Sequence, residues 1–229
     1  MNQKYFMIGT YINFLRKKFK YFNSKLILIH IGKCGGSSVR KDLENAGISF
    51  YYVHVNTVKY DPSKKYIFLL RNPIDRFVSA FYWRKKNVIE FSKPINEYEK
   101  KMFNKYKDVN SLALDIYDDH GNIQLDLKKE SNYIHHIVQD IDFHIGSLLE
   151  KIHKNDIHSV ITTENIVEDI KNSFNIDIKS HEKSNKNQYS LSDTAYSNLK
   201  KYLSKDYECI KKLFEIGAIN KNQYRLLNK

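Results

Sequence analysis

"KLILIHIGKCGGSSVRKDL", residues 25 to 43, decides the fold. Its first seven residues are an apolar run rich in Ile and Leu and too short for a helix, which predicts a strand buried on both faces. Three of the chain's eight glycines follow at once: Gly32, Gly35 and Gly36. Over residues 37–45 the pattern turns helical, with Val39 and Leu43 one turn apart and Gly47 as the stop. A strand that feeds a helix through such a loop opens an α/β sheet. It also makes an anion site, because small residues let backbone N–H groups converge and the helix dipole favours negative charge. Lys33 adds a full positive charge there, and Ser37 and Ser38 add hydroxyl donors.

The same unit repeats outward. "ISFYYVHV" at 48–55 and "KKYIFLL" at 64–70 predict two more strands, and "RNPIDRFVSAFYWRKK" places Pro73 at a helix start. Residues 88–145 break the pattern. They are rich in charged and aromatic residues, with helical patches at 97–107 and 109–117 and a turn at "DDHGN", and they predict a helical insertion that departs from the plain βαβ scaffold. "IHSVITT" at 157–163 predicts a last strand, "ENIVEDIKNSF" a short helix, residues 180–192 a polar loop, and residues 193–216 two helical segments. Successive β and α units imply a parallel sheet with helices on its faces. The expectation is a P-loop-like, three-layer α/β fold in one domain over residues 25–229.

Residues 1–24 read as an amphipathic helical extension. Tyr5, Ile8, Ile12, Leu15, Phe19 and Phe22 recur on one helical face, and the apolar run is too short to span a bilayer. With Arg16, Lys17, Lys18 and Lys20 nearby, that helix either packs on the domain or lies peripherally on an anionic membrane.

Composition sets the outer limits. The 229 residues are 41% hydrophobic and include 17 Tyr and 13 Phe, enough for a core, so general disorder is excluded. The net charge of +12 favours anionic ligands without choosing among nucleotide, nucleic acid and acidic glycan. Two cysteines, Cys34 and Cys209, make no disulfide framework, so a reducing cytoplasmic setting is expected. Cys34 reads as a small filler in the loop.

A second motif lies in "FLLRNPIDRFVSAFYWR". Arg71 closes an apolar strand and Ser79 falls about two helical turns later. Parallel strands deliver their C-terminal ends to one edge, so Arg71 arrives beside the glycine loop, and the two anion sites imply a ligand with two separated phosphates. The loop is not a Walker sequence, since its lysine precedes the paired glycines. His54, at the end of the second strand, is the leading general base on that edge, with His30 a weaker candidate. Asp118, Asp119 and His120 read as a turn rather than a metal site.

"HIGKCGGSS" at 30–38 and "RNPIDRFVSAFY" at 71–82 resemble the "HIPKxGGTS" and "RNPxxRxxSxFY" signatures of the carbohydrate branch of the sulfotransferases that use 3'-phosphoadenosine 5'-phosphosulfate (PAPS). The resemblance is detailed over residues 26–86 and weaker beyond, with Gly32 standing where the signature has proline. It implies that Lys33, Cys34, Gly35, Gly36, Ser37 and Ser38 cradle the 5'-phosphosulfate, and that Arg71 and Ser79 hold the 3'-phosphate. Lys183 and Lys186, in the late loop "HEKSNKNQY", would close over the nucleotide. Lys33 would meet charge on the leaving oxygen, His54 would deprotonate the acceptor, and His135 and His136 could reach that acceptor. No metal is required. The expected activity is sulfuryl transfer to a carbohydrate hydroxyl, as on a surface polysaccharide or glycolipid, with no nucleic-acid partner. The alternatives are a P-loop nucleotide kinase or phosphotransferase, and a non-catalytic module that binds polyanions.

Overall fold

The computed structural model describes residues 23–129, 133–178 and 189–229. The amphipathic pattern of residues 5–22, Lys183 and Lys186 lie outside the described residues.

Strand β1 (Leu26–His30) forms from the predicted apolar run, and all but its first residue are buried. It pairs in parallel with β2 (Tyr51–Val53) on one side and β3 (Lys65–Leu70) on the other, and β4 (Ile157–Thr162) pairs in parallel with β3. The order β2-β1-β3-β4 puts the glycine-loop strand and the arginine strand side by side at the centre. The expected parallel α/β architecture is therefore present. Strand β2 is shorter than the 48–55 run suggested. Its ladder stops at Val53 because the next acceptor along β1, the carbonyl of His30, is taken by the side chain of His54.

Helix α1 (Gly36–Asn45) buries Val39 and Leu43. Helix α2 (Pro73–Ile89) starts where Asn72 accepts the amide of Asp75 and Pro73 occupies the first turn. Residues 88–145 add α3 (Glu97–Lys105) and α4 (Val109–Leu114), each opened by an Asn or Asp side-chain cap. Helix α4 ends earlier than the 109–117 pattern because residue 117 turns back to bridge Ile123 around the predicted "DDHGN" turn, in which Asp118 accepts the amides of His120 and Asn122. After an unpredicted π-helical turn at Asp142–Gly146 come α5 (Ser147–Leu149), α6 (Ile166–Phe174), α7 (Asp193–Tyr202) and α8 (Ser204–Glu215). A last helix, α9 (Lys221–Leu227), was also not read from the sequence and begins at a capping box formed by Asn220 and Gln223.

Two apolar clusters result. One surrounds the sheet, and the other joins α2, α3, α4 and α7 through residues such as Phe77, Phe81, Phe103, Leu112 and Leu199. The insertion is thus a helical layer with its own core. A buried ion pair ties it to α2: Arg84 Nε and Nη2 donate to the two carboxylate oxygens of Glu99 at 2.7 and 2.6 Å. Removing one partner strands the other charge. Glu99→Ala should cost about 3 to 5 kcal/mol in urea unfolding, with α3 losing amide protection first; a loss under about 1 kcal/mol would show that the pair does not anchor the insertion.

Candidate functional site

The four parallel strands end on one edge, and each delivers a polar group. His54 follows β2, the glycine loop follows β1, Arg71 follows β3, and Thr163 and Glu164 follow β4. Arg71 Nη1 lies 3.4 Å from the carbonyl of Lys33, so the two motifs meet as the sequence implied. Thr163 donates to the carbonyl of Leu70 at 3.1 Å and ties β4 to the same edge.

The loop itself is shaped for anions. Lys33 and Gly35 both have positive φ, 72° and 73°, and alternation of this kind turns peptide N–H groups into a concave nest. Gly35 caps α1 with no side chain, so no side-chain oxygen occupies the space in front of the first helical amides. Ser37 and Ser38 are exposed in that first turn. Cys34 points the other way: its thiol is buried in the sheet core, and burial pushes its pKa up to about 12. Only its backbone faces the loop.

Lys33 extends toward Trp83 of α2, with Nζ 5.0 Å from the ring centroid. Burial, followed by the nearby Arg71 cation, lowers its pKa to about 8. Ser79 sits two turns into α2, half-buried, and makes no hydrogen bond to Arg71. On its face of the helix one turn earlier, Asp75 accepts a hydrogen bond from Tyr189.

His54 is fixed in one tautomer. Its Nδ1 lies 3.0 Å from the carbonyl of His30, which can only accept, so Nδ1 carries the proton and Nε2 keeps its lone pair. Its ring stacks on His30 at 4.2 Å and stands 5.3 Å from His136. His136 in turn meets His135 at 4.0 Å and Trp83 at 4.9 Å. His135 and His136 are therefore not an exposed helical pair. They lie in a turn whose second residue has φ 64°, and His136 is almost wholly buried. Burial lowers the pKa of His136 to about 2 and that of His30 to about 3, so both rings are neutral at pH 7.

Three contributors escaped the sequence. Fully buried Arg76 donates from Nη1 to the carbonyl of His136 at 2.7 Å and holds that residue on the edge. Its position five residues after Arg71, in the same motif, was the available signal. Trp83 walls the site between Lys33 and His136. Glu164 caps the α2 entrance by accepting the amide of Asn72, while its second oxygen is buried without a partner and burial raises its pKa. Among the described residues no group of His, Cys, Asp and Glu is arranged to hold a metal ion.

Comparison with protein-family models, with curated proteins and with solved structures gave no significant match to this chain. The site is therefore argued from its own geometry.

Gly32 has a specific reason to lack a side chain. A Cβ there would lie 2.2 Å from His136 Nδ1. Gly32→Ala should therefore destabilise the protein by about 1 to 3 kcal/mol, the scale of overpacking, and His136→Ala should recover most of that loss in the double variant. Independent, additive losses in thermal unfolding would mean that the two positions do not share this space.

Proposed function

We propose that this chain is a sulfotransferase that takes the sulfuryl group from PAPS and passes it to a hydroxyl of a carbohydrate acceptor. The observation that carries the reading is the meeting, on one sheet edge, of two cations, an uncapped helix start and an imidazole whose Nδ1 is held by the carbonyl of His30. The signatures at residues 30–38 and 71–82 supply the donor, whose 5'-phosphosulfate would rest on the loop and the α1 amides, with Arg71 and Ser79 toward its 3'-phosphate.

In this reading His54 Nε2 accepts the proton of the acceptor hydroxyl as its oxygen attacks sulfur. The bond from sulfur to the donor's phosphate oxygen breaks, and Lys33 meets the charge left on that oxygen. His136, Trp83 and His135 would form the wall against which the acceptor packs, an aromatic and imidazole surface suited to the flat face of a sugar ring. A steroid or other large apolar acceptor would leave their ring nitrogens unpaired. No described helix is long and apolar enough to cross a membrane. A polysaccharide or glycolipid acceptor would therefore meet these residues from solution or from a membrane surface.

The decisive test is a thermal-shift series with adenosine 3',5'-bisphosphate, AMP, ATP, and ATP with magnesium. Selective stabilisation by the bisphosphate is expected, and selective stabilisation by ATP with magnesium would overturn the reading in favour of a phosphotransferase. Arg71→Ala should weaken bisphosphate binding by about 2 to 3 kcal/mol, with a much smaller effect on AMP; equal losses would take Arg71 away from the 3'-phosphate. His54→Ala should retain nucleotide binding and lose on the order of a hundredfold in turnover, whereas normal turnover would remove it as the base.

The pH dependence of binding follows from Lys33. In the free protein it is charged below about pH 8 and neutral above, and an anion binds the charged form. Affinity for the bisphosphate should stay level from pH 7 to 8 and fall as pH rises further. Lys33→Arg, which does not titrate in that range, should flatten the profile. A wild-type profile that is flat to pH 9.5 would show that Lys33 does not face the ligand.

A further inference from the structure

His30 was expected as a weaker candidate for the base, and its surroundings bear on a different role. It is 5% exposed, wedged between the first residue of α1 and the ring of His54. A Cβ on Gly36 would lie 1.9 Å from His30 Cδ2 and 2.3 Å from Nε2, so the edge of the imidazole carrying Nε2 lies directly against the start of α1. The opposite nitrogen, Nδ1, is hydrogen-bonded to the hydroxyl of Tyr52.

That bond decides the tautomer. Arg40 lies 4.6 Å over the face of the Tyr52 ring and turns its Nε to Glu44. Tyr52 carries a hydroxyl proton that it can give to His30 Nδ1. A phenol is also the better donor and an imidazole nitrogen the better acceptor of the two. His30 must then carry its remaining proton on Nε2, and it cannot serve as a base from that atom. Among the described residues Nε2–H has no acceptor.

We infer that His30 is a ligand-binding residue: its Nε2–H is a neutral hydrogen-bond donor to the anion held at the start of α1, oriented by Tyr52. Nε2 makes no hydrogen bond among the described residues, and at the uncapped start of α1 an anion oxygen on the helix amides would supply it with an acceptor. Because the imidazole stays neutral, its face can lie on His54 without opposing the charge which that ring acquires on taking a proton. One side chain thus touches the anion with its edge and the base with its face. The proposal rests on anion binding at the glycine loop, so wild-type binding is measured first.

Calorimetry of adenosine 3',5'-bisphosphate with the wild-type protein tests the parent reading alone. If the wild type binds, His30→Phe, which keeps a flat ring and loses the donor, should bind roughly ten- to a hundredfold more weakly. Tyr52→Phe should bind a few-fold more weakly. Nitrogen-15 NMR of ring-labelled histidine supplies a readout that a packing role would not move. In the free wild-type protein at pH 7 His30 should appear as the neutral Nε2–H form, and bisphosphate should shift Nε2 without protonating Nδ1. Tyr52→Phe should convert that signal to a mixture of tautomers. An Nε2 signal untouched by saturating ligand, or a folded His30→Phe that binds as the wild type does, would overturn the proposal. If His30→Phe fails to fold, the wild-type NMR titration and Tyr52→Phe decide between these outcomes.

Discussion

Buried charge in the helical insertion holds the residues that finish the site. Glu99 receives both arms of Arg84 and also accepts the amide of His135 at 3.3 Å, while Arg76 donates to the carbonyl of His136. One carboxylate and one guanidinium therefore grip the His135–His136 dipeptide from opposite ends. Gln139 adds a third tie, donating to the carbonyl of Val55 just beyond β2 at 3.1 Å. A dipeptide with a left-handed second residue would not stay in that shape unaided, since strain of this kind persists only where the surroundings over-determine it. Buried ions are expensive unless satisfied, and here their bonds also fix the His135–His136 backbone beside the strand edge.

Behind that wall the ionic network continues. Asp206 of α8 accepts the amide of Asp142 at 2.9 Å, and Lys128 pairs with Asp140 at 2.5 Å. Burial, followed by the neighbouring Asp140, raises the Asp206 carboxyl above the usual carboxylate range, while Arg76 pulls it down. The backbone around the π-helical turn is thus fastened by side-chain carboxylates, and Gly146 leaves room for one of them: a Cβ there would lie 2.2 Å from Asp142 Oδ1. The insertion, though outside the sheet, is thereby tied to its edge by hydrogen bonds.

Local signals made the first half of the fold legible. The β1 run, the glycine loop and Pro73 each state their conformation within a few residues, and a parallel sheet then forces Lys33 and Arg71 onto one edge whatever the rest of the chain does. The meeting of the two motifs was readable for that reason. The helices and turn of positions 88–145 were readable too, but their placement against the edge was not, because it is long-range: Arg84 to Glu99 and Arg76 to His136. The π-helical turn and α9 were missed on different grounds. The first depends on Asp140 and Asp206 rather than on its own periodicity, and the second is short and announced only by its capping box. Strand β2 was read too long because apolar alternation continues past Val53, whereas its hydrogen-bond ladder does not.

Two glycines carry the link between these halves. At Gly32 the space of a side chain is filled by His136 from the insertion, and at Gly36 by His30 from the sheet. The glycine loop is thus permissive in a second sense, beyond its backbone angles: it lets imidazoles approach the main chain where an anion would sit. Both rings are kept neutral by burial, and beside Lys33 and Arg71 that matters. Two further cations would strengthen anion binding, but they would also oppose the charge that His54 would gain in the proposed transfer. Neutral rings supply hydrogen-bond donors and flat surfaces at no such cost, leaving the positive charge where a leaving phosphate would need it.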